Sequence, residues 1–168
     1  NDPKLESFKT ILKRQIESES KRKILVFTEF ADTADYLGNA LQDYGLPVFK
    51  YTSADASQAN KNIINANFNA GEKAHLQKDD YKILVATDAI SEGYNLHRAG
   101  AVINYDIPYN PTRIIQRIGR INRVNKKVFN ELYIYNYFPT DVGENETRTK
   151  EISTLKMAMI HAIMGEDT

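Results

Sequence analysis

Residues 111–127 read PTRIIQRIGRINRVNKK. Proline is tolerated at the first turn of a helix, and Asn110 before it can cap that turn. At about 100° per residue, Arg113, Arg117, Arg120 and Arg123 fall within a sector of roughly 120°. Ile114, Ile115, Ile118 and Ile121 occupy a separate arc of about the same width. One face packs on something and the other gathers four guanidinium groups. No carboxylate lies between Ile107 and Asn130 to pair with them. An arginine face of this kind suits an anion that is not part of the helix. An ordinary solvated face is the other reading that the helix alone allows.

The remainder of the chain bears on that choice. Its 168 residues suit one domain, residues 1–168, with 42% apolar and 26% charged residues as in ordinary globular proteins. Twenty-two basic residues balance 22 acidic ones, so only local charge speaks about partners. The absence of cysteine excludes disulfides, thiolate nucleophiles and zinc–cysteine sites. No apolar run approaches membrane-spanning length and no signal peptide is evident, which gives the expectation of a cytoplasmic protein without membrane contact. A start at Asn1-Asp2-Pro3 without Met gives the expectation of a piece of a longer chain.

Strands and helices alternate along the chain. Helical spacing covers 5–19, 31–44, 57–69 and, after the arginine stretch, 146–164. Apolar or alternating runs at 24–28, 47–51, 82–87, 101–105 and 132–138 read as strands. That order calls for an α/β three-layer sandwich with a mainly parallel central sheet. In such sheets function sits beyond the carboxyl ends of the strands. There the sequence places Thr28-Glu29-Phe30, then Thr87-Asp88, then Asn104-Tyr105-Asp106 leading into the arginine stretch. Hydroxyls, acids, amides and arginines gather at one rim. Each threonine taken alone is an ordinary strand terminus or cap.

Several motifs are missing. There is no Gly-x-x-x-x-Gly-Lys-Ser/Thr loop to cradle phosphates, and no Gly-x-Ser-x-Gly elbow. Asp79-Asp80 precedes its strand rather than following it, so no acidic pair is placed to hold magnesium. His75, His97 and His161 have no ligand spacing, and no metal site is expected. The chain carries groups for binding anions without a nucleotide loop or an evident base, which is half of a site.

Three blocks carry a family resemblance. Ile24-Leu25-Val26-Phe27-Thr28-Glu29-Phe30 resembles motif IV, and Ala86-Thr87-Asp88-Ala89-Ile90-Ser91-Glu92-Gly93-Tyr94-Asn95-Leu96 resembles motif V. Gln116-Arg117-Ile118-Gly119-Arg120-Ile121-Asn122-Arg123 matches the Gln-Arg-x-Gly-Arg-x-x-Arg form of motif VI. Together they resemble the C-terminal RecA-like lobe of superfamily-two helicases and translocases, nearest the Swi/Snf-like branch with its bacterial RNA-polymerase-recycling ATPases. The resemblance covers about residues 20–140, with 146–164 as a further helix.

The resemblance implies a RecA-like fold and a role for each matching position. Arg120 and Arg123 match arginine fingers that reach ATP bound, with magnesium, mainly on an N-terminal RecA-like lobe of the same parent chain. Gln116, Gly93 and Asn95 match positions near the nucleotide. Thr87 and Thr28 match contacts to the backbone of DNA or RNA. Arg113 and Arg117 have no assigned role beyond possible bracing. Past Arg123 the family continues with Ile-Gly-Gln where this chain has Val124-Asn125-Lys126-Lys127. Residues 51–55 lack the glycine usual after the second strand, and no site is transferred there. The implied function is the C-terminal lobe of an ATP-dependent nucleic-acid helicase or translocase, inactive alone. A non-catalytic nucleic-acid or protein-binding RecA-like module is the alternative, and an unrelated phosphate-binding enzyme a third.

Overall fold

The computed structural model describes residues 2–91, 93–108, 110–121 and 128–137. Its elements in order are α1 (Pro3–Ser18), β1 (Lys23–Phe27), α2 (Ala31–Asp43), β2 (Val48–Tyr51), α3 (Gln58–Phe68), β3 (Ile83–Ala86), β4 (Ala99–Asn104), α4 (Pro111–Gly119) and β5 (Tyr133–Asn136). The strands form one sheet in the order β2-β3-β1-β4-β5. Every pairing is parallel. The expected helix at 146–164 and the last residue of the expected strand at 132–138 lie outside the described residues. No helix among the described residues is long and apolar enough to cross a membrane.

β1, at the centre, is buried along its whole length, as a strand covered on both faces must be. Alternate residues serve two layers. Ile24, Val26, Ile83, Val85, Ala101 and Ile103 face α1 and α2. Leu25, Phe27, Leu84, Ala86 and Val102 face the side that holds Ile64 and Phe68 of α3. α4 sets Ile114 and Ile118 against Leu132 and Ile134. Phe8 and Leu12 of α1 have no exposed surface, so the packed unit begins before residue 20.

Local chemistry explains the helix ends. The Asp2 carboxylate accepts from the N–H groups of Lys4 and Leu5 at 3.1 and 3.2 Å, with Pro3 in the first turn. α2 ends in a paired carbonyl closure: Leu46 N–H donates to Leu41 O and Gly45 N–H to Gln42 O. Gly45 supplies the required left-handed residue at φ +90°. The arginine helix is shorter than its periodicity suggests. It stops at Gly119, after which Ile121 N–H donates to Ile118 O at 3.0 Å and the Arg120 carbonyl accepts from Leu96 N–H at 3.0 Å.

Two buried cations were hidden from hydrophobic patterning. Arg22 donates to Gly100 O at 2.8 Å and to Glu131 O at 2.6 Å. A Cβ on Gly100 would meet the Arg22 side chain at 2.6 Å, so the strand there needs glycine. Lys23 is 1% exposed inside β1. Its ammonium donates to Tyr81 O at 2.7 Å and pairs with Asp79 at 2.9 Å. Burial pushes its pKa down from an ordinary 10.5 to about 8, against the opposing pull of Asp79.

α4 is seated by a third buried cation. Arg117 has no exposed surface. Its Nε and Nη2 donate to the two carboxylate oxygens of Asp88 at 2.6 and 2.9 Å. Its Nη1 donates to Asn104 Oδ1 at 2.8 Å, and its guanidinium lies 4.8 Å from the centre of the Phe27 ring. One side chain thus ties α4 to the ends of β1, β3 and β4. Lysine would keep the charge but lose the fork and the stacking plane. Arg117→Lys is therefore expected to lower unfolding stability by about 2–3 kcal/mol in denaturant titrations. For Lys23, the folded form releases its proton near pH 8 and the unfolded chain near 10.5. Stability should rise with pH through that window, with the cost of the buried charge fully present below it. Relative to Lys23→Met, the wild type should gain up to about 3 kcal/mol between those pH values in parallel unfolding curves.

Candidate functional site

Parallel strands deliver their carboxyl ends to one rim. Register sets Phe27 opposite both Ala86 and Asn104, and Asn104 opposite Asn136. Four adjacent strands therefore end level. The Asn104 amide donates to Asn136 Oδ1 at 2.7 Å while its oxygen accepts from Arg117. Both ends of that buried amide are satisfied, as burial requires.

The segment after β1 is held by Asp106. Thr28 Oγ1 donates to Asp106 Oδ2, and Glu29 N–H donates to Asp106 Oδ1 at 2.8 Å. Phe30 N–H donates to Thr28 Oγ1 at 3.3 Å. Thr28 itself has no exposed surface. The resemblance implied that Thr28 touches the nucleic-acid backbone, but this side chain is turned inward and orders its neighbours. Phe30 is the exposed residue here, at 58%.

The segment after β3 carries three more of the expected positions. Thr87 is nearly buried, and its N–H donates to Tyr51 O at 3.3 Å. Asp88 opens a single turn of 3-10 helix, Asp88–Ser91. Gly93 is exposed with φ +83°, a conformation that glycine adopts at little cost. A Cβ there would meet nothing within 4 Å, so backbone conformation rather than crowding within the chain calls for glycine. Tyr94 stacks edge-on with Tyr51, with ring centres 5.6 Å apart, and burial pushes its phenol up to about 12. Asn95 is half-buried beside it. The bond from Leu96 N–H to Arg120 O brings this loop against the end of α4.

The arginine face divides into unlike parts. Arg117 is buried and fully engaged. Arg113 is 50% exposed, with Nη1 at 3.3 Å from Glu29 Oε1 and 3.8 Å from Asp88 Oδ2. Arg120 is half-buried, and among the described residues no carboxylate pairs with it. Gln116 is exposed one turn earlier on α4. Arg123 lies outside the described residues. The expectation that these guanidiniums await an outside anion is thus corrected for Arg117 and qualified for Arg113. Their carboxylates come from elsewhere in the chain, 29 residues away for Asp88 and 84 for Glu29. Ile115, counted in the apolar arc, is 37% exposed at its edge.

Asp88, Asn104 and Asp106 are the residues that a reading by motif left without a role. One signal was available: acids immediately after apolar strands, facing a helix that has cations and no acids.

Comparison with known proteins now places the chain. The family model described as helicase conserved C-terminal domain matches residues 4–125. The uncharacterized ATP-dependent helicase YqhH of Bacillus subtilis is 33% identical over 117 residues, 68% of this chain and 18% of that protein. The ATP-dependent RNA helicase p62 of Drosophila melanogaster is 33% identical over 125 residues, 74% of this chain and 16% of that protein. The chain thus spans less than a fifth of either relative. The C-terminal part of the Fun30 ATPase domain superposes with a TM-score of 0.72 at 21% identity, covering 89% of this chain and 45% of that one, and so shares the fold. With more than two thirds of its length matched by the family model, the chain belongs to the helicase conserved C-terminal domain family.

Proposed function

We propose that this chain is the C-terminal lobe of an ATP-dependent nucleic-acid helicase or translocase, supplying arginines to a nucleotide held mainly by a second, N-terminal lobe. The observation that carries the reading is the contrast along α4. Arg117 and Arg113 have carboxylate partners, but Arg120 has none among the described residues and sits against the Gly93–Leu96 loop. A half-buried arginine held by its backbone, with no carboxylate partner among the described residues, suits a phosphate arriving from outside.

The chemistry follows from that placement. During phosphoryl transfer, charge spreads over the equatorial oxygens, and a planar guanidinium can contact two of them. Arg120 takes that role, with Arg123 as the second finger. Gln116 and Asn95 lie near the nucleotide, and Gly93 leaves open space above the backbone. Magnesium and the phosphate-cradling loop are assigned to the other lobe. ATP closes the cleft and hydrolysis reopens it, so the two lobes move relative to a bound strand.

The polymer track is assigned to the rim after β1 and β3. Thr87 keeps its role as a backbone contact there. Thr28 acts by holding Glu29 and Phe30 in place, and the exposed Phe30 ring offers a stacking surface. Contacts of this kind select nucleic acid without reading its sequence. The names of YqhH as an ATP-dependent helicase and of p62 as an ATP-dependent RNA helicase support ATP as fuel and a nucleic acid as partner.

The test is ATP hydrolysis by the intact protein, with and without DNA or RNA. Arg120→Ala should cut polymer-stimulated turnover by about a thousandfold or more while ATP still binds. The lobe alone should not turn over ATP measurably. Unchanged turnover in the variant would instead support a RecA-like module that binds nucleic acid or protein without taking part in catalysis.

A further inference from the structure

Arg113 is the exposed member of the arginine face among the described residues, and its geometry differs from that of Arg117 in three respects. Its side chain is 50% exposed, where Arg117 has no exposure. Its Nη1 divides between two carboxylates, Glu29 Oε1 at 3.3 Å and Asp88 Oδ2 at 3.8 Å. Neither approach is the short, paired geometry of a strong guanidinium–carboxylate contact, which Arg117 makes with the same Asp88 at 2.6 and 2.9 Å.

Asp88 does not depend on Arg113 for its place. Asp88 is already fixed by Arg117. The Glu29 backbone is fixed through its N–H, which donates to Asp106 Oδ1 at 2.8 Å, while its carboxylate pairs with Arg113. Removing Arg113 strands no buried charge, because Glu29 and Asp88 both keep some exposed surface. A bracing role would call for burial and a short, paired contact, and Arg113 has neither. Exposed ion pairs of this length are weak and readily screened. A phosphate offers the same guanidinium two parallel hydrogen bonds and a fuller negative charge.

We propose that Arg113 is a phosphate-binding residue held in reserve, parked between Glu29 and Asp88 until an oxyanion at the rim displaces them. This rests on the reading of the chain as a lobe of a nucleic-acid-dependent ATPase. The phosphate belongs either to the polymer backbone or to the nucleotide, and the chemistry at Arg113 is the same for both. Glu29 serves as the gate. It pairs with Arg113 when no phosphate is present, and its own charge opposes a phosphate that arrives.

The experiment uses the intact protein and three variants: Arg113→Gln, Glu29→Gln and the pair together. Binding of fluorescent DNA and RNA oligonucleotides is measured across a salt series, the KM for ATP in parallel, and the thermal midpoint of each variant as a check on folding. If the polymer is the source, Arg113→Gln weakens oligonucleotide binding several-fold and reduces the salt slope by about one phosphate contact. If the nucleotide is the source, the slope is unchanged and the KM for ATP rises several-fold. In either case Glu29→Gln tightens the affected ligand several-fold, and most of that gain disappears in the Arg113→Gln background. A folded Arg113→Gln protein with unchanged slope and KM overturns this inference alone. So does one whose thermal midpoint collapses, since that would make Arg113 a brace. An intact wild-type protein that binds neither polymer nor ATP overturns the functional reading, and this inference with it.

Discussion

The buried fork between Arg117 and Asp88 is the interaction on which the rim depends. A guanidinium without water must have its charge met and its donors filled, or the site does not hold together. Asp88 meets the charge, Asn104 takes a further donor, and the Phe27 ring covers a face. Three strand ends and one helix are locked by a single side chain. The residues that follow α4 inherit that position. Arg120 N–H donates back to Arg117 O at 3.3 Å, and Arg120 O accepts from the loop after β3. Arg120 is therefore placed by an arginine that is itself fully buried.

The two ends of the sheet use charge differently. At the amino ends, Arg22, Lys23 and Arg98 are spent on carbonyls and on Asp79, closing the loops that enter the strands. At the carboxyl ends the pairing is graded, from Arg117 fully engaged, through Arg113 loosely shared, to Arg120 without a partner among the described residues. A chain with no net charge can offer a basic site in this way, because what matters is which cations are already neutralised locally.

Much of this was legible in the sequence. Continuous apolar runs announced β1, β3 and β4, since strands covered on both faces carry no polar alternation. Gly45 and Asn110 announced helix ends by local chemistry, and the spacing of the three motifs announced the family. What escaped depended on contacts between distant residues. Lys23 looked like a polar flank, yet lies in the strand because a carbonyl and Asp79 receive its ammonium. Gly100 carries no signal of its own in the sequence and makes room for Arg22. Thr28 taken alone read as a strand terminus or cap, and Asp106 draws its hydroxyl inward. The arginine helix looked unpaired because periodicity within a helix cannot see an acid delivered by another strand.

The central claim is that Arg117 and Asp88 act as one unit that positions the arginine end of α4. A double-mutant cycle with Asp88→Asn, Arg117→Gln and the pair, followed by denaturant unfolding, measures this directly. The account predicts that each single change is costly, that the double change costs much less than their sum, and that the coupling reaches about 2 kcal/mol or more. Additive losses, with a coupling near zero, would contradict it.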